Sequence, residues 1–237
     1  MIAAAPLIGV TLRGLLGRRR TLLMVLLVAL PVLVALVVRL AGGRLEAGPI
    51  LDTMIVRTVL PLVALVFGTA ALGSELEDGT AVYLLAKPVP RWRVMVAKMA
   101  VAATLTIALI VPATVASSLL AGGSTATTFG FAVAAALGGA AYAVAFVALS
   151  AFTSRALVAG LGYTLLWEGA LSGLLEGTRF LSVRQATLGV AAELSGVSPG
   201  VPPLEFSTSI MMLALVFGVS IVLGSLRLAR FEVRGGD

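Results

Sequence analysis

The stretch GSELEDGTAVYLLAKPVPRWRVMVAK, from Gly73 to Lys98, interrupts a chain built otherwise from long runs of Val, Leu and Ala. It holds three acids, four bases, two prolines and two aromatics. Ser74 and Glu77 stand in the S-x-x-E spacing of a capping box, which predicts a helix starting at Ser74. Glu75, Glu77 and Asp78 then fall in a first turn, where acids favour the helix dipole. The helix can run to about Ala86, because Lys87 precedes Pro88 and is biased out of the α region. Pro90 can open the next helix, whose first turns carry Arg91, Trp92 and Arg93 at a membrane surface. The product is a short helix with an acidic start and an apolar middle, Ala81 to Leu85, fixed between two apolar runs. An apolar face of that kind needs a partner groove.

The flanking sequence places this helix in a membrane protein. Of 237 residues, 59% are hydrophobic and 12% charged, about half the charge of a soluble domain. Six stretches are long enough to span, at about 20 residues each. They lie near 21–40, 55–73, 99–120, 130–152, 157–175 and 207–226. The fold expected is all-α, with six transmembrane helices in a domain over 21–237. The run Thr21 to Val38 follows Arg18–Arg20 and is longer than a cleaved signal's apolar core, so it reads as the first span. Residues 1–20 read as an amphipathic helix on the membrane surface. Thr153 to Ala156 make a tight polar turn between spans four and five. In the loop 176–206, residues 178–194 are apolar enough to dip into the outer leaflet as a short helix, ended by Gly196 to Pro203.

With the N-terminus inside, twelve Lys and Arg fall on inner segments and five on outer ones. This bias makes both termini and the segment 73–98 cytoplasmic.

Composition excludes several chemistries. The chain has no Cys and no His, which removes disulfides, thiolate or imidazole metal sites and Ser-His or Cys-His nucleophiles. Neither lysine, Lys87 or Lys98, stands in a GxxxxGK[ST] context, so there is no P-loop. The basic residues beside spans record orientation and do not indicate nucleic-acid binding.

The opening segment resembles the first cytoplasmic loop of ABC type-2 transporter permeases, the membrane subunits of many bacterial exporters. The residues that carry the likeness are Glu75, Gly79, Thr80, Leu84, Leu85, Pro88, Val89 and Arg91; YTLLWEG (163–169) and RFLSVRQATLG (179–189) add to it. The resemblance implies that 73–98 is a coupling helix docking on a separate ATPase subunit. Its contacts would come from Glu75, Glu77, Asp78, Gly79, Thr80, Tyr83, Leu84, Lys87, Pro88 and Arg91. It further implies a permease dimer in the bacterial plasma membrane, with ATP and Mg²⁺ on the partner and no cofactor on this chain. A self-sufficient secondary transporter or channel, and a non-transporting anchor or scaffold, are the alternatives from other classes.

Glu168 is the acid that falls well inside an apolar run. A buried intramembrane acid is functional or locks helix packing by a hydrogen bond or ion pair. Arg57 is its nearest expected partner by depth, while Asp52 is expected outside the spans. Pro31, Pro61 and Pro112 fall inside spans as kinks or hinges. Gly130, Ala134 and Gly138 in span four, and Gly169 and Gly173 in span five, permit close helix approach.

Overall fold

The computed structural model describes residues 18–43, 46–77, 90–171, 181–199 and 202–229. The first helix, α1 (Arg18–Leu40), is mostly exposed along its apolar length. The second, α2, is one rod over 47–77 built from α (Ala47–Ile50), π (Leu51–Val59) and α (Leu60–Glu77) segments. Then come α3 (Arg91–Leu120) and α4 (Thr125–Ser150). A fifth helical run, α5, joins an α segment (Ala156–Gly162) to a π segment (Tyr163–Leu171). A short α6 (Val183–Ser195) and a final α7 (Phe206–Ala229) complete the described chain.

Five of these helices are long and apolar enough to cross a membrane: Thr21–Leu40, Ala47–Gly73, Arg91–Leu120, Thr125–Ser150 and Phe206–Ala229. They correspond to the expected spans one to four and six. At the expected fifth span, 157–175, the described helix covers 156–171, too short to count by the same measure. The expected amphipathic helix over 1–20 lies outside the described residues except for its last three, which continue into α1.

Two boundaries move for physical reasons. The second span begins at Ala47, not near 55, so Asp52 is inside the helix. Its charge is neutralised on the same helix, which a sum of residue hydropathies does not capture. The helix also runs through Ser74 to Glu77. Ser74 is therefore not an N-cap, and the S-x-x-E spacing here is a feature of a continuing helix. With no Gly or Pro between Ser74 and Asp78, nothing ends the helix earlier. By contrast Pro90 is the N-cap of α3 as expected, in extended conformation before Arg91.

The core is organised around α4. Its neighbours approach closely because glycine faces them on both sides. A Cβ on Gly68 of α2 would stand 2.6 Å from Phe146 Cβ and 2.9 Å from the Ala143 carbonyl. A Cβ on Gly130 would stand 2.7 Å from the Ser195 backbone nitrogen, and Gly138 meets Thr187 in the same way. The small-residue stripe of α4 is thus the bed on which α6 lies. That helix is buried on nearly every side, from Val183 to Ala191. The sequence predicts a short helix dipping into lipid, whereas the structure dips it into protein. Gly196, at φ 67°, ends it in the left-handed conformation.

A first prediction follows. Gly130→Val forces backbone against backbone, with an expected cost of about 1–3 kcal/mol. Gly162→Ala, where a Cβ meets nothing within 4 Å, should be neutral or slightly stabilising. Thermal unfolding of the two variants in one detergent compares them; equal melting would refute the packing of α6 on α4.

Candidate functional site

Three polar arrangements stand out from the apolar bundle. The deepest centres on Glu168, whose residue is 2% exposed. Its Oε1 accepts from the Tyr163 hydroxyl (2.9 Å), the Val183 backbone N–H (3.0 Å) and the Arg184 backbone N–H (3.4 Å). Its Oε2 accepts from the Ser182 hydroxyl. Ser182 in turn is the N-cap of α6 and accepts from the Gln185 N–H at 3.1 Å. The first intrahelical bond runs from Ala186 N–H to the Ser182 carbonyl at 3.1 Å. Three of the four orphan N–H groups of this helix start, those of Val183, Arg184 and Gln185, are therefore met by a serine and by a carboxylate from another helix. A negative charge at a helix N-terminus is favourable, which is why this acid can be buried. The fully buried Tyr142 hydroxyl lies beside the same carboxylate. The rings of Tyr142, Phe146 and Tyr163 pack in series, with centroids 5.8 and 6.4 Å apart.

The second arrangement is an ion pair within α2. Arg57 Nε donates to Asp52 Oδ1 at 2.7 Å and Nη2 to Oδ2 at 3.0 Å. The expected pairing of Arg57 with Glu168 is corrected: Arg57 turns to Asp52, and Glu168 turns to α6. The two corrections share a cause. Asp52 and Arg57 are five residues apart, as are Tyr163 and Glu168, and both pairs lie in π segments. A π-helix hydrogen-bonds from i to i+5, so residues five apart stack. In an α-helix they would diverge by about 140°. Thr58 Oγ1 bonds the Thr53 carbonyl at the same spacing. Pro61 follows the first π segment and has no N–H to continue its ladder.

The third arrangement gathers at the other end of the bundle, beside the segment 78–89. Lys98 of α3 is 1% exposed and donates from Nζ to the Ala71 carbonyl of α2 at 2.6 Å. Arg91 Nη1 donates to the carbonyls of Leu228 (3.3 Å) and Ala229 (3.0 Å), at the C-terminus of α7. Cations suit the negative ends of helices. The first turns of α3 are thereby tied to the C-terminal end of α7 through Arg91 and, through Lys98, to α2 six residues before Glu77. Trp92 is exposed with Arg93 over its ring at 5.3 Å, as an interfacial anchor would be. Of the expected coupling residues, Glu75 and Glu77 lie on the last turn of α2 and Arg91 opens α3. Asp78, Gly79, Thr80, Tyr83, Leu84, Lys87 and Pro88 lie outside the described residues. Among the described residues no group of three or more Asp, Glu, His or Cys could hold a metal ion.

Long apolar helices, a short helix buried among them and charges neutralised inside the bundle define a polytopic membrane protein. The family model for "ABC-2 family transporter protein" matches residues 16–174, well over half of the chain. The chain belongs to that family, and is a permease-type membrane component of ABC transporters. The match spans α1 to α5 together with the segment 73–98. No curated protein matches the chain.

Proposed function

We propose that this chain is the translocating subunit of an ATP-driven exporter of the bacterial plasma membrane, working as a dimer with two separate ATPase subunits. The observation that carries the reading is the family match across 16–174, which includes the charged segment between α2 and α3. ATP and Mg²⁺ belong to the partner, in keeping with the lack of a P-loop lysine in this sequence. Work enters through the coupling segment. Glu75 and Glu77 at the end of α2, Arg91 at the start of α3, and the intervening Asp78, Gly79, Thr80, Tyr83, Leu84, Lys87 and Pro88 face the ATPase. What supports the placement is that Lys98 and Arg91 tie this end of α3 to α2 and α7. A push on the segment therefore reaches three spans at once. The twelve-to-five charge bias puts both termini and this segment in the cytoplasm.

The test is to express the chain with candidate Walker-A ATPase subunits from the same genome and purify by a tag on the permease. Co-purification of the ATPase is expected with the wild type. Leu84→Asp, which places a charge on the apolar docking face, is expected to insert normally but to lose most of the captured ATPase. Full capture by Leu84→Asp would move the coupling surface elsewhere. Single cysteines at Ala86, Ser154 and Gly235 should label only from the cytoplasm, and one at Gly200 only from outside. Inside labelling at Gly200 contradicts the topology.

A further inference from the structure

At the end of the bundle opposite Lys98, a cavity of about 400 Å³ opens between α2, α4 and the turn after α6. Its polar wall is the Asp52–Arg57 pair and its apolar walls include Pro49, Phe131, Val197 and Pro199. A second cavity, reached past the shared Gly48, Pro49 and Val197, continues it toward Glu46. The volume is that of a small-ligand site, and the polar groups are few and convergent.

The pair lining it is compensated but not exhausted. A guanidinium has five N–H donors. Two are given to Asp52, and among the described residues Nη1 of Arg57 has no partner. Asp52 likewise keeps acceptor capacity beyond one bond on each oxygen. The wall thus offers a cationic donor and an anionic acceptor side by side, with no net charge. A simple anion reaching Arg57 would meet Asp52, and a simple cation reaching Asp52 would meet Arg57. A ligand carrying both charges, a phosphate ester linked through a short chain to an ammonium, satisfies both at once.

Depth supplies the source. Ala47–Gly73 is 27 residues long, about 40 Å at 1.5 Å per residue, against a hydrocarbon core of about 30 Å. The Gly73 end is apolar back to Leu60 except for Thr69, so the surplus of about 10 Å falls at the Ala47 end. Asp52 is about 8 Å from Ala47 on the same rise, which is the depth of lipid headgroups. We propose that this cavity is a binding site for a zwitterionic phosphate–ammonium headgroup, of the phosphoethanolamine type, held by Arg57 on its phosphate and by Asp52 on its ammonium. The site is independent of ATP-driven transport, and its test needs no ATPase.

The 237-residue chain stripped of lipid in detergent is titrated with phosphatidylethanolamine, phosphatidylglycerol or an uncharged glycolipid, and bound lipid is counted by native mass spectrometry. Phosphatidylethanolamine is expected to bind at one per chain, at least tenfold tighter than either of the others. Joint replacement Asp52→Asn with Arg57→Gln keeps the shape without the charges and should reduce that preference to about unity. Displacement by free glycerophosphoethanolamine would show that the headgroup alone suffices. Failure of the free compound to displace would assign the source to the bilayer, and either result supports the site. Equal binding of phosphatidylglycerol or glycolipid by the wild type overturns the proposal, whether or not the variant folds. So does an unchanged preference in the folded double variant.

Discussion

Glu168→Leu is expected to release α6 from the bundle. Leucine is close in size to glutamate, so the loss is not one of volume. What disappears is the acceptor for the Ser182 hydroxyl and for the first two N–H groups of α6. These groups are buried and cannot turn to water. Each unsatisfied donor costs about 1–3 kcal/mol, and the loss of a favourable charge at the helix start adds to that. The total expected is about 3–5 kcal/mol, the range seen when one member of a buried charged arrangement is removed. Glu168→Gln keeps one carbonyl oxygen in the place of Oε1, where the Tyr163 hydroxyl and the Val183 and Arg184 N–H groups meet. Its amide can donate to a rotated Ser182 hydroxyl, so it should lose much less. Thermal unfolding in detergent orders the two variants. A cysteine at Ala191, a buried position on α6, gives the local readout. It should be protected from a water-soluble maleimide in the Glu168→Gln background and labelled in Glu168→Leu. Melting of Glu168→Leu within about 2 °C of the wild type, with Ala191→Cys still protected, would sink the capping role.

This carboxylate also marks how far the sequence could be read. That Glu168 had to be neutralised or paired was legible, because an acid in an apolar run is costly wherever it lies. Its partners were not legible. Tyr163 is five residues away and would point elsewhere on an α-helix, and Ser182 and Val183 belong to a segment whose burial depends on the whole bundle. The small residues of α4 were legible as an approach surface, but not as a bed for α6, since Gly130 and Gly138 look alike to any neighbour. Pro90 was read correctly because a proline restrains its own residue and the one before it. Ser74 was misread because its motif is permissive. A serine followed three residues later by a glutamate fits a helix start, and it also fits the inside of a helix that has no reason to stop. Asp52 was expected before the second helix and lies within it for a third reason. Hydropathy sums treat charges as independent, and a bidentate pair on one helix is cheaper to bury than its parts.

That last point is the one a mutant cycle measures directly. Asp52 has a side chain 9% exposed and Arg57 one 25% exposed, so removing Arg57 strands the better-buried charge. Arg57→Gln is therefore expected to cost about 2–3 kcal/mol, below the range for a fully buried pair because the arginine already reaches solvent. Asp52→Asn should cost less, since the guanidinium left behind can turn outward. The double variant removes both charges and should recover part of the loss, giving a coupling of about 1–2 kcal/mol. The same cycle between Arg57 and Glu168 should be additive within about 0.5 kcal/mol, because each carboxylate or guanidinium has its own partner. The π register makes a sharper demand. If the stacking of residues five apart holds the pair, then the outcome must depend on the spacing that an α register would leave between them, since residues five apart diverge by about 140° on an α-helix. Removing one residue from the π segment, by deleting Thr53, brings Asp52 and Arg57 to a spacing of four and lets the segment close in the α register. The pair then survives, because residues four apart face each other on an α-helix. Deleting Met54 does the same, whereas inserting one alanine after Met54 sets the two six apart and should abolish the coupling. Coupling that persists in the insertion variant would show that the pair is not held by the helix register at all.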